Sequence, residues 1–125
     1  MSRSALLLFS HGSPDPEWAE PFVALQDLLA QRHAGIPVVL AYLAPARPAF
    51  EDVVAQLSHA GVKQVVVAPL FLARGGHVKR DLPALVRDAA AKYGMVFRIL
   101  PTLGEVEALQ MAIANWIGKS AAPDL

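Results

Sequence analysis

The chain of 125 residues contains no cysteine. That absence excludes disulfides, thiolate zinc sites, iron–sulfur clusters and thiol nucleophiles, so any metal must be held by nitrogen and oxygen. Charge is scarce as well. Only 18% of residues are charged, and 11 Lys and Arg balance 11 Asp and Glu. With no basic stripe to release counterions, a sequence-blind nucleic-acid binder is disfavoured. Long apolar runs are missing too. The first run, Ala5–Phe9, is too short for the apolar part of a secretion signal and far too short to span a bilayer. The expectation is a soluble, cytoplasmic protein with neither a membrane nor a nucleic-acid partner. No Gly-x-Gly-x-x-Gly follows that run, and no complete Gly-x-x-x-x-Gly-Lys-Ser/Thr phosphate loop occurs, which leaves nucleotide binding without its usual scaffold.

Apolar residues are plentiful, at 54% of the chain. Together with zero formal net charge, this excludes disorder, because burial can offset the ordering entropy. One domain is the natural count, able to bury roughly two-thirds of its unfolded surface. It is expected over residues 1–119, with 120–125 as a flexible tail.

Four short apolar runs alternate with four segments of helical periodicity. The runs are Ala5–Phe9, Ile36–Leu43, Gln64–Phe71 and Met95–Leu100. Between and after them, apolar residues recur on one helical face: Trp18, Phe22 and Leu25; Phe50, Val53 and Leu57; Leu82, Leu85 and Ala89; Val106, Leu109 and Ile113. Pro21 is tolerable only near the start of its helix, and Pro83 is expected within the opening turns of the third. Strand and helix alternating four times predicts an α/β fold of three layers, in which right-handed crossovers join parallel strands. The strands read as near-continuous apolar runs, as helices on both sheet faces require. The order 2-1-3-4 follows as the flavodoxin-like arrangement.

In such a sheet, ligands bind beyond the carboxyl ends of the strands, where strand order reverses. That place lies between strands one and three. His11 comes just after strand one, and His77 ends the loop Leu72–His77 after strand three. Neighbouring strands lie roughly 4.8 Å apart, so both imidazoles can address one crevice and one ion. Taken singly, each is an ordinary loop histidine, solvated or bonded to a backbone carbonyl. Two of four histidines at one switch point favour a site. His33 and His59 fall at helix ends, where a cation suits the helix dipole, and carry no function.

Other chemistries fit less well. Ser13 beside His11, with Asp15 or Asp81 to orient it, makes a loose hydrolase inventory without a Gly-x-Ser-x-Gly elbow. Histidine phosphatases carry Arg before the His-Gly pair, where this chain has Ser10. Gly75 and Gly76 allow unusual backbone torsions and close approach of a flat ligand, or simply make a turn. Arg74, Lys79 and Arg80 crowd the same loop, and a ligand with several carboxylates would explain that cationic rim. A solvated helix start would explain it too. Leu43, Pro45, Phe71 and Leu72 flank the site as core cap or ligand wall.

The stretches Phe9-Ser10-His11-Gly12-Ser13-Pro14-Asp15-Pro16 and Val67-Ala68-Pro69-Leu70-Phe71-Leu72-Ala73-Arg74-Gly75-Gly76-His77-Val78-Lys79-Arg80-Asp81-Leu82-Pro83 resemble the two signature segments of the CbiX-type sirohydrochlorin chelatases. The likeness runs over nearly the whole chain and is to the short, single-domain form, which works as a homodimer. It implies insertion of Co2+ or Fe2+, with Ni2+ possible, into sirohydrochlorin on the cobalamin or siroheme branch. The metal is then substrate, and no cofactor is permanently bound. The resemblance makes His11 and His77 the metal-binding and catalytic pair. Ser13, Leu43, Leu72, Arg74, Gly75, Gly76, Lys79 and Arg80, placed around that pair by the sequence, are then expected to meet the tetrapyrrole, whose eight carboxylates would give Arg74, Lys79 and Arg80 a task. Two neutral imidazoles leave coordination positions open for pyrrole nitrogens and can accept the released protons. The chain departs in one place: family members often carry an acid after the aromatic-Leu pair, and here Tyr42-Leu43 is followed by Ala44-Pro45. That departure leaves room for a different-class alternative, a metal or tetrapyrrole carrier without turnover.

Overall fold

A computed structural model describes residues 3–73 and 75–125, the side chains of His77 and Val78 excepted. Strand β1 (Ser4–Ser10) leads through a 3-10 turn (Pro16–Ala19) into helix α1 (Glu20–Arg32). There follow β2 (Val38–Tyr42), α2 (Phe50–His59), β3 (Gln64–Pro69), α3 (Gly76–Tyr93) and β4 (Val96–Ile99). A 3-10 turn (Leu103–Glu105) then precedes α4 (Glu107–Ala121). The four strands pair in parallel in the order β2-β1-β3-β4, as the alternation predicts. Register is set along β1: Phe9 lies opposite Ala41 of β2 and Pro69 of β3.

The core fills the sheet face beneath α2 and α3. From the strands come Ala5, Leu7, Phe9, Val65 and Val67, and from the helices Phe50, Val53, Val54, Leu57 and Leu82. Alternate strand residues supply this face because side chains flip with each residue. Phe9 packs edge-on to Phe50, with ring centroids 5.8 Å apart. Full burial of each such ring or branched side chain contributes roughly 1.5–3 kcal/mol. On the other face, α1 lies along β2. Helix α4 packs chiefly on the Leu103–Glu105 turn and the 3-10 turn that follows it, Ala122–Asp124. It buries none of its residues. Over β4 the second layer is therefore open, and Val96 is 65% exposed.

Three boundaries differ from the sequence reading. Helix α3 starts at Gly76, so His77 belongs to its first turn and not to the preceding loop, and Pro83 is its eighth residue. Among the described side chains, core-facing residues mark the helix from Leu82 onward. Ile36, Pro37, Leu43, Leu70 and Phe71 lie outside their strands, because apolar runs continue into loops that close the core. Residues 120–125, expected as a tail, continue α4 to Ala121 and the turn Ala122–Asp124.

Candidate functional site

His11 follows the last residue of β1 directly and is exposed at the carboxyl edge of the sheet. Two contacts fix it there. Its imidazole stands edge-on to the Phe71 ring, with centroids 4.7 Å apart and planes at 78°. Phe71 itself is buried against Phe9. Gly12, the next residue, has φ of 84°, and a Cβ there would collide with the Cβ of Ala46 and press on Tyr42. Only glycine satisfies both demands, the left-handed torsion and the close approach of the loop after β2. That loop is held in turn by bonds from the Leu43 N–H to the Ser10 carbonyl (3.2 Å) and from the Tyr42 N–H to the Pro48 carbonyl (2.9 Å).

A cleft of about 680 Å³ opens between His11–Pro14 and Leu43–Arg47. This falls within the roughly 300–1,000 Å³ of small-molecule sites. A second recess of about 320 Å³ adjoins it across Leu43, Ala44, Pro45 and Arg47, and Glu51 and Asp52 form its far wall. Arg47, on the border of the two, was not singled out from sequence; its bracketing prolines at 45 and 48 are the signal that a shaped loop, not a helix start, carries it. Glu51 stands in the first turn of α2, where the dipole favours an anion. It is the carboxylate nearest in sequence to the acid missing at Ala44, and the fold turns it toward the same surface.

Ser13 lines the cleft, but its Oγ accepts the Asp15 N–H at 3.1 Å. Asp15 Oδ1 in turn accepts the Glu17 N–H at 3.0 Å and caps the following 3-10 turn. Ser13 and Asp15, two members of the hydrolase inventory, are thus engaged in local turn geometry. Ser10 is buried, and its hydroxyl finds no hydrogen-bond partner among the described residues. Burial also pushes the Tyr42 phenol above its ordinary value of 10.0.

On the β3 side, the carboxyl end leads through exposed Leu72 into α3. Gly75 is the residue before the helix, at φ −76°, and Gly76 is its first residue. Neither has a positive φ, so the expected unusual torsions do not occur there. A Cβ at Gly75 would meet open space, and at Gly76 only the tip of Arg80 at 3.8 Å. Arg80 folds back so that its Nε donates weakly to the Gly76 carbonyl at 3.4 Å. Lys79 lines a separate recess of about 150 Å³ with Ile99, Leu100 and Thr102, over β3 and β4 and away from His11. Arg74 and the His77 side chain lie outside the described residues. Among the described residues no group of three or more His, Asp or Glu is placed to hold a metal ion.

Comparison with known proteins puts this geometry in context. The chain is 30% identical over 84 residues to the sirohydrochlorin cobaltochelatase of Methanosarcina acetivorans, covering 67% of this chain and 65% of the relative. Against that of Methanothermobacter thermautotrophicus the identity is 33%, covering 67% and 58%. The match thus spans less than two thirds of either relative. Among solved structures, a CbiX protein of cobalamin (vitamin B12) biosynthesis from Marinobacter aquaeolei VT8 superposes with a TM-score of 0.83 at 29% identity, over 96% of this chain and 98% of that one. The cobalt complex of the sirohydrochlorin chelatase SirB from Bacillus subtilis subspecies spizizenii shares the fold, with a TM-score of 0.72 at 24% identity, over 96% of this chain and 52% of that one. The CbiX family model matches residues 5–120, from the first strand to the end of the last helix, and the chain belongs to the CbiX family.

Proposed function

We propose that this protein is a metal chelatase, inserting Co2+ or Fe2+ into sirohydrochlorin in cobalamin or siroheme biosynthesis. The observation that carries the reading is the position of His11. It is exposed at the switch point of the sheet, braced by Phe71, and opens onto a cleft large enough for the edge of a flat macrocycle. The relatives named for cobalt insertion support cobalt as the metal. Iron, and nickel by the Irving–Williams order of imidazole donors, rest on the donor type alone.

The chemistry is an exchange. One divalent ion enters the macrocycle and two pyrrole N–H protons leave. His11, with His77 from the first turn of α3, would hold the ion weakly and accept those protons. Weak holding is needed because the ion must be handed on. Leu43 and Leu72 would face the ring, while Arg47, Arg74 and Arg80 would take its carboxylates. Lys79, on the far recess, would reach only a carboxylate at the macrocycle's edge.

A homodimer completes the reading. Helix α4 presents Trp116 and Ile117 at 67% and 51% exposure, and Val96 of β4 is likewise uncovered. A second copy of this chain is the partner that would cover both surfaces.

The test is anaerobic turnover of sirohydrochlorin with Co2+ or Fe2+, followed by absorbance. Multiple turnovers are expected, falling by on the order of a hundredfold or more in His11→Ala and in His77→Ala. Tight tetrapyrrole binding with a single equivalent of product, or none, would instead make the protein a carrier.

A further inference from the structure

The turn between β4 and α4 reaches across to the site. The Leu103 N–H donates to the Phe71 carbonyl at 2.9 Å, and the Gly104 N–H donates to the Leu72 carbonyl at 2.8 Å. Thr102 and Glu105 brace this turn as a capping box: the Thr102 N–H and hydroxyl both donate to Glu105 Oε1, at 3.1 and 2.7 Å. From α4, Gln110 Nε2 donates to the Gly104 carbonyl at 3.0 Å. A Cβ on Gly104 would run into the Leu72 carbonyl oxygen. That neighbour is backbone, so it cannot swing aside as a side chain would.

The turn Leu103–Glu105 buries no residue. Its contribution to the core is small, yet its two outward N–H groups grip the segment that runs from β3 into the site. Phe71 is the first residue gripped, and its ring is the one that stands against the His11 imidazole.

We infer that Gly104 is a positioning residue for His11, acting through the Phe71–Leu72 backbone. This rests on the chelatase reading only for its effect on turnover; the geometric link stands by itself. Adding a methyl at Gly104 pushes Leu72 away, moves the Phe71 ring with it, and leaves His11 without its brace. A misplacement of about 1 Å at a reacting group can cost on the order of a hundredfold in rate. The bond from Gln110 extends the link into α4, the helix proposed to meet the second copy.

The experiment compares Gly104→Ala with wild type by NMR of the histidine ring protons, with the His11 signals assigned by their loss in His11→Ala. The His11 resonances are expected to shift while those of His33 and His59, at helix ends away from the site, stay in place. In cobalt insertion kcat should fall on the order of tenfold or more, with KM for the tetrapyrrole changing less than about twofold. Unmoved His11 resonances in a folded Gly104→Ala protein overturn the inference. Should that variant not fold, Gln110→Ala serves, since it removes one bond from an exposed side chain and adds no bulk. It should move the His11 resonances by a smaller amount, and an unmoved spectrum again overturns the inference. If the wild type does not turn over, the chelatase reading fails while the spectra still decide the role of Gly104.

Discussion

Tyr42 shows how a residue beside the site serves the fold. It ends β2, lies 6% exposed, and has the Trp18 ring 6.0 Å away. Taking a phenolate out of water is unfavourable, so burial raises its pKa above 10.0. The native state then keeps the proton at pH values where the unfolded chain has lost it. Stability from this group is fully present below pH 10 and declines as pH rises through the native pKa. Tyr42→Phe should remove that component. Denaturant melts between pH 9 and pH 12 should show a shallower alkaline loss in the variant. Equal slopes would mean that the phenolate is solvated in the native state. Ser10, its register partner on β1, has the opposite character: a buried hydroxyl without a partner among the described residues, where alanine would fit the same space.

Between elements, the site depends on loops that interlock at their backbones. The loop after β1 can lie against the loop after β2 because Gly12 has no Cβ to strike Ala46. Gly12→Ala imposes a strained torsion and that collision together, and should destabilise the fold by about 1–3 kcal/mol. Chemical denaturation measures this, and a Gly12→Ala protein as stable as wild type would show the loops free to part. The strand order and the role of β1 as a central strand were legible in the sequence, because each apolar run is followed by a helical period and parallel strands leave little topological choice. The placement of His11 at the strand end was legible for the same reason. The start of α3 was not, since the described residues of its first turns, Gly76, Lys79 and Arg80, are exposed and impose no apolar period. Nor was the link from Gly104 to Phe71 and Leu72. Its partners are carbonyl oxygens, which every residue carries, so no side-chain pattern reports them. Gly75 and Gly76 stayed open between two readings for a related reason: a glycine in sequence does not reveal whether torsion, close approach or mere exposure accounts for it.

At the scale of the whole molecule, the uneven layering is what remains to be satisfied. The α2–α3 face of the sheet is sealed, whereas α4 stands off from β4 with Trp116 and Ile117 outward. Exposed apolar side chains on one side of a helix are what a second copy of this chain would cover. Burying Trp116 and Ile117 would each contribute roughly 1.5–3 kcal/mol, a gain that association must set against lost translational and rotational freedom. A pairing that covers Val96 as well would satisfy both open surfaces in one step. In sedimentation at micromolar concentration the wild type should then run at twice the 13.4 kDa of the chain, with a melting temperature that rises with concentration. Trp116→Glu places a charge on that side of α4, and should give a folded species of single-chain mass. Because Gln110 ties α4 to Gly104, and Gly104 to the carbonyl of Leu72, the monomeric variant should also turn over more slowly than the dimer, although Trp116 itself lines none of the clefts around His11. A monomeric wild type would leave the apolar face of α4 to a different partner and detach the dimer from the chemistry of the site.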